Sequence, residues 1–277
     1  MPLHAEKLMN LKIPDRQVTY TDRDTLLYAL SLGAGLGDHL GLVQEEAQRV
    51  IPSFGQNLAF NDSWMGEAGV DLAKVVHGGL ELTFDAPFAP AGEVDVSASI
   101  VGLADKGAEK AGIIRHRTEV LRKGKRIFTS TSNLFVRGGG GFGGSVGEQA
   151  QRLASPDGEA DAIIEVPTRP DQALLFRLLG DRNPLHSQPG VARAAGFDRP
   201  ILHGACTFGI GCLTVLQAYC GGDPARLTGF AARFSGPVYP GETLIFSFWN
   251  TPGGLAFAAR VKERDAPVLA DGRATLT

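Results

Sequence analysis

The apolar and polar positions of this chain run twice through the same order. Phe84-Asp85-Ala86-Pro87-Phe88-Ala89-Pro90-Ala91-Gly92-Glu93 parallels Phe234-Ser235-Gly236-Pro237-Val238-Tyr239-Pro240-Gly241-Glu242, with one residue deleted. A β-rich run follows each copy, Val94–Val101 in the first and Thr243–Trp249 in the second. A glycine turn comes next (Asp105-Lys106-Gly107; Pro252-Gly253-Gly254), then a second strand. Arg122-Lys123-Gly124 marks a hairpin before a third strand, Ile127–Val136, and Asp271-Gly272 does so less cleanly before Arg273–Thr277. Each half therefore supplies successive antiparallel strands. The second half adds a stretch without charge, Gly204 to Cys220, that reads as an apolar helix over Ala205–Ala218. It is slightly short for a membrane span and carries Thr207, Thr214 and Gln217, so it is expected to cover the apolar face of a sheet inside a core.

Between the halves, Gly138–Gly144 is almost all glycine, and Ser145–Ala162 is polar with Pro156 and Gly158. Neither part can offset its ordering entropy through burial, so the boundary falls near 145–160. The expected division is a half over 1–145, a linker over 146–160 and a half over 161–277. Glycines directly after the strand ending at Val136 are expected to stay ordered where the backbone approaches closely.

Bulk properties narrow the classes. With 277 residues and 43% hydrophobic content the chain can bury a full core. Twenty-seven basic against 30 acidic side chains give a net charge of −3, so nothing global attracts nucleic acid or an anionic membrane. The start, Met1-Pro2-Leu3-His4-Ala5-Glu6-Lys7, lacks a charged-then-apolar export layout. Cys206, Cys212 and Cys220 are odd in number and lie in one apolar segment, without a C-x-x-C pair. Buried, reduced thiols in a cytoplasm are expected, with neither disulfides nor zinc.

The densest chemistry lies in Phe176-Arg177-Leu178-Leu179-Gly180-Asp181-Arg182-Asn183-Pro184-Leu185-His186. Pro184 blocks continued helix and pushes Asn183 toward extended geometry, so the backbone must turn and present Asp181, Asn183 and His186 together. A carboxylate and an imidazole held close can share one proton-transfer task, each shifting the other's pKa. Turn chemistry alone would explain Asp181 and Asn183 singly. Polar groups set into the apolar run of Leu174, Leu175, Leu178 and Leu179 cost free energy unless paired, which favours a site.

Other signals carry less. Gly143-Gly144-Ser145-Val146-Gly147 fits the nucleophile-elbow pattern, but it leads into polar residues with little to hold a strained turn. Gly33, Gly35 and Gly37 follow the helix-like run Thr25–Leu32 and not a strand, so they form no dinucleotide fingerprint. Arg115-His116-Arg117 and Arg122-Lys123-Gly124-Lys125-Arg126 read as a solvated basic strand pair.

Gly180-Asp181-x-Asn183-Pro184-Leu185-His186, followed after five residues by Ala192, resembles the signature of type 2 enoyl-CoA hydratases within the MaoC-like dehydratase family. The likeness continues at Pro200-Ile201-Leu202-His203-Gly204 and Phe234–Gly241, and in the first half at Val76-His77-Gly78, Asp105-Lys106-Gly107 and Gly139–Gly144. Leu179 departs from it, where that family usually has a small or hydroxyl-bearing residue. The resemblance implies an α+β architecture of two tandem hotdog folds, each a long helix wrapped by a curved antiparallel sheet. It also implies hydration of a trans-2-enoyl-CoA to a (3R)-hydroxyacyl-CoA or the reverse, with CoA as part of the substrate and neither cofactor nor metal.

On that reading Asp181 is the principal base, His186 the proton shuttle, and Asn183 holds the water. Gly204 opens the helix, where unpaired N–H groups and the dipole favour a thioester oxyanion. His77, Gly78, Lys106 and Phe234 would contact the acyl-CoA by resemblance, Lys106 also because a flexible cation in a turn suits a CoA phosphate. Only the second half holds the acid-amide-imidazole set, so the first half is expected to shape the substrate tunnel. A homodimer is expected by resemblance. A hotdog thioesterase and a non-catalytic acyl-CoA binder are the competing functions.

Overall fold

The computed structural model describes residues 2–35, 40–151 and 158–277. Gly37 and residues 152–157 of the expected linker, Pro156 among them, lie outside the described residues. Eleven strands are formed: β1 (Arg16–Tyr20), β2 (Val75–Phe84), β3 (Gly92–Asp105), β4 (Gly112–Arg122), β5 (Lys125–Val136), β6 (Val146–Gly147), β7 (Ala162–Pro167), β8 (Leu227–Phe234), β9 (Thr243–Thr251), β10 (Gly254–Val261) and β11 (Ala266–Leu276). They make one sheet in the order β1-β3-β4-β5-β2-β8-β11-β10-β9-β7, with β6 added beside β3. Read outward from the middle, β2-β5-β4-β3-β1 mirrors β8-β11-β10-β9-β7, which is the sequence repeat realised in space. The halves join where β2 pairs antiparallel with β8, from Gly79 opposite Arg233 to Thr83 opposite Gly229.

Turn chemistry sets the strand order. Lys123 and Gly124 both hold positive φ (53° and 74°), the two-residue geometry that matches the twist of the flanking strands β4 and β5. Asp271-Gly272, read from sequence as a hairpin, is a bulge inside β11. The register against β8 slips between Ala270 and Arg273, and Asp271 takes φ 53°. The turn before β11 lies at 262–265, with Asp265 at φ 49°.

Among the described residues seven α-helices accompany the sheet: α1 (Ala5–Met9), α2 (Asp22–Ser31), α3 (Gly55–Ala59), α4 (Ser63–Ala68), α5 (Gln172–Phe176), α6 (Pro189–Ala194) and α7 (Gly204–Cys220). The expected apolar helix is α7, buried on nearly every side and closed by Gly221 in the left-handed conformation. A Cβ on Gly209 would come within 2.8 Å of Leu32 and one on Gly211 within 3.1 Å of Phe246, so side-chain-free positions let α7 seat between α2 and the sheet. Among the described residues no helix is long and apolar enough to cross a membrane. The three cysteines are free and buried.

Among the described residues the first half has no equally long helix. Its sheet is covered by α3 and α4, with the break at Asn61, whose side-chain oxygen accepts from both the N–H and the hydroxyl of Ser63. Gly139 and Gly140 are buried where backbone approaches closely, as a Cβ on Gly140 would lie 2.4 Å from the Gly107 carbonyl oxygen, and the more exposed glycines after them are held by hydrogen bonds. One Asp105 oxygen accepts from Gly107 and Gly141 (2.8 and 2.7 Å) and the other from Gly143 and Gly144 (2.9 and 3.2 Å). These amides, Gly141 foremost, hold the Asp105 carboxyl down at about 2. Ser145, the elbow candidate, accepts from the Asp105 N–H. Val146 and Gly147 pair with β3, and Glu148 is ion-paired to Arg117, so the first residues of the expected linker are docked on the N-terminal half.

Replacing Asp105 by Asn is expected to raise amide exchange at Gly141, Gly143 and Gly144 at least about tenfold, read by hydrogen–deuterium exchange. Because the folded carboxyl titrates below its ordinary 3.8, protection in the native protein should persist above pH 4 and be lost only as pH falls toward 2.

Candidate active site

The Asp181 loop folds as its sequence requires. After α5 the chain makes one tight turn to Leu179, reverses at Gly180 (φ 128°), and turns again over Pro184–His186. Asp181 accepts from the Asn183 N–H at 3.1 Å, and Asn183 Oδ1 accepts from the Leu185 N–H at 3.0 Å. Asn183 is exposed, and with one lone pair of its oxygen committed to the turn, its Nδ2 and the second lone pair are left for the expected water.

Two imidazoles stand behind the carboxylate. His186 Nδ1 lies 2.9 Å from the Ile201 carbonyl, and His203 Nε2 lies 3.1 Å from the Asp181 carbonyl. A carbonyl only accepts, so each ring presents N–H at that contact and a lone pair at its other nitrogen. The rings stack at 3.7 Å, and Phe176 packs against His203 at 5.0 Å. Donor atoms of Asp181, His186 and His203 lie within 4.8 Å of one another, close enough to share one water or one cation. Burial lowers the His186 pKa against the pull of the Ile201 carbonyl and Asp181. Burial, and then His186, push His203 down to about 3, with Arg177 adding to the effect. Both rings are neutral at pH 7.

His203 was not among the residues singled out from sequence. It sits in Ile201-Leu202-His203-Gly204 with no polar neighbour to flag it, and its Nδ1 is buried without a partner. His203 also occupies the N-cap position of α7 and makes no side-chain cap. The first internal bond runs from the Thr207 N–H to the His203 carbonyl. The opening N–H groups from Gly204 onward are thus of the uncapped kind that attract negative charge.

The seam between the halves completes the site. Phe234, ending β8, lies over Gly204, where an added Cβ would meet its ring at 3.3 Å. His77 of β2 packs on Phe234 at 5.1 Å and feels the Asp181 charge. Desolvation holds His77 down at about 4, against a backbone hydrogen bond at Gly79 and the attraction of Asp181. Asp181, His186, Gly204, His77 and Phe234 therefore converge.

Gly78 and Lys106 line a different space, a cavity of about 1190 Å³ on the sheet face turned away from α7. Asp181, His186 and His203 do not line it. Arg115, expected on a solvated hairpin, is buried beside this cavity in a two-pronged pair with Glu81 (2.9 and 2.8 Å) and a hydrogen bond to Asn133.

Two family models divide the chain: a MaoC like domain over 151–270, and an MFE-2 hydratase 2 N-terminal domain over 18–138. The 3-hydroxyacyl-thioester dehydratase Y of Mycobacterium tuberculosis is 40% identical over 91% of either chain. The enoyl-CoA hydratase ChsH3 of that organism is 35% identical over 98% of either chain. A crystal structure of a MaoC-like dehydratase from Phytophthora capsici superposes with a TM-score of 0.91 at 28% identity, covering 99% of this chain and 98% of that one. The tandem sheet and its helices are a double hotdog fold, and its class is that of the hydro-lyases. The chain belongs to the MaoC-like dehydratase family.

The neutral buried histidines generate a stability prediction. His77, His116 and His203 titrate near 4, 4 and 3 in the folded chain, below the ordinary 6.5, so the unfolded chain binds more protons between those values. Stability should be complete above pH 6.5 and fall as pH drops toward 4. Urea unfolding at pH 7 and pH 5 should differ by on the order of a few kcal/mol.

Proposed function

We propose that the protein adds water to a trans-2-enoyl-CoA to give a (3R)-hydroxyacyl-CoA, or runs the reverse dehydration. The observation that carries this reading is the gathering of one carboxylate and two buried imidazole rings, with ligand atoms within 4.8 Å of one another, beside an uncapped helix N-terminus. The substrate class and stereochemistry follow the relatives named as enoyl-CoA hydratase and 3-hydroxyacyl-thioester dehydratase.

In the hydration direction Asp181 and His186 hold the water and accept its proton as its oxygen bonds to C3. The C2–C3 π pair moves into the thioester as an enolate, whose oxygen sits at the Gly204 N–H and the α7 dipole. A proton returned by the pair to C2 completes addition of H and OH across the double bond. His203, tied to the Asp181 backbone, fixes the loop against α7. Phe234 and His77 close the site on the side of the seam.

Crotonyl-CoA should lose its enoyl absorbance on addition of the protein without release of free thiol, and chiral analysis should find the (3R) product. Thiol release would establish a thioesterase instead. Asp181→Asn should lower kcat by about 10²- to 10⁴-fold with substrate affinity largely kept. Unchanged turnover in that variant would overturn the proposed role.

The rate has its own pH signature. A general base works deprotonated, and burial lowers the His186 pKa below 6.5. The acid limb of kcat/KM should therefore lie below pH 6.5.

A further inference from the structure

The inner face of the first half is not uniformly apolar. Cross-strand registers stack its inward positions in four rows: Val96-Val120-Phe128-Phe84, Ala98-Thr118-Ser130-Leu82, Ile100-His116-Ser132-Leu80 and Leu103-Ile114-Leu134-His77. The first row belongs to the main core cluster. The β3, β4 and β5 members of the last belong to a second, separate cluster. Between them lie Thr118, Ser130, His116 and Ser132, all buried. The matching face of the second half, where α7 packs, carries Leu255, Phe257, Ala259, Phe246 and Phe248. The polar stripe is thus a property of the half that lacks the long helix.

At one end of the stripe three polar atoms are buried with no hydrogen-bond partner: Trp64 Nε1, His116 Nε2 and His77 Nε2. They come from α4, β4 and β2. Trp64 stacks on His116 at 5.1 Å, and His77 lies close enough that a proton on its ring would disfavour one on His116. His77 also feels Asp181, so the stripe begins at the catalytic loop and runs away from it beneath α3 and α4. Successive rows lie about 7 Å apart along the strands. Ser130 is already bonded to Gln56 of α3 at 2.7 Å, which marks its far end.

Buried polar atoms without partners are unfavourable in the empty protein and become favourable when a ligand supplies the missing bonds. The Trp64 indole can only donate, hydroxyls of the stripe donate or accept, and the two histidines stay neutral because burial lowers both to about 4. These side chains provide no cation for a carboxylate, and they offer a plain alkyl chain nothing to bond.

Resting on the hydratase reading, we infer that the acyl chain entering the first half carries a neutral oxygen function, a hydroxyl, ketone or ether. The polar stripe of His77, His116, Trp64, Ser132 and Thr118 receives it. The preferred substrates are then oxygenated enoyl thioesters, and the first half sets this preference while the second performs the addition.

The test compares kcat/KM for enoyl-CoA chains of equal length, plain or bearing one hydroxyl or keto group at successive positions from C5 outward. The oxygenated chain should be favoured at least about tenfold at one or more positions. That ratio, in which loss of active protein cancels, should fall toward unity in His116→Phe and Ser132→Ala and recover in part in His116→Gln. Equal or better turnover of the plain chain at every position would overturn the inference, as would a ratio unmoved by these variants, leaving the stripe to buried water. A protein inert toward crotonyl-CoA as well would sink the hydratase reading itself, and this inference with it.

Discussion

The antiparallel pairing of β2 with β8 is the constraint on which the site depends. Three residues of the candidate site are placed relative to that seam: His77 near one end of β2, Phe234 at the end of β8, and Gly204 under the Phe234 ring. Because register in a half-buried sheet is fixed by which side chains face the core, a one-residue slip would turn Phe234 and His77 away together. The rigidity of the candidate site is therefore borrowed from a sheet of eleven described strands, while Asp181, Asn183 and His186 themselves sit on a loop.

Desolvation does the electrostatic work. His186, His203 and His77 are kept neutral mainly by burial, each against at least one partner that would favour the cation. A neutral ring that has given its N–H to a carbonyl has one lone pair in a fixed direction, and this is what a proton-accepting site requires. The helix N-terminus supplies the opposite character a few ångströms away, without a charged side chain that would pair with Asp181.

Much of this was legible in the chain. The duplicated Phe-x-x-Pro segments located both halves, and Gly180 with Pro184 forecast the turn that gathers Asp181, Asn183 and His186. Other features depended on distant partners. Gly141, Gly143 and Gly144 are held by Asp105, more than thirty residues upstream, a partner that local composition does not reveal. His203, quoted only within the Pro200–Gly204 segment, was given no role because its partner is a backbone carbonyl 22 residues away. Asp271-Gly272 has the composition of a turn but serves as a bulge, since β11 continues through it to pair with β8. The break between α3 and α4 rests on the side chain of Asn61, which a periodicity argument does not weigh.

The mirrored strand order has a consequence for the chain as a heritable object. A polypeptide holding one copy alone would end in β2 or β8 as an open edge, its backbone donors and acceptors facing solvent. Such an edge is satisfied by a second copy related by a two-fold axis, or else it recruits other chains indiscriminately. Fusion of two copies fixes their stoichiometry at one to one. It also leaves each free to differ, so that one half can carry the long helix and the Asp181 loop while the other carries neither among the described residues.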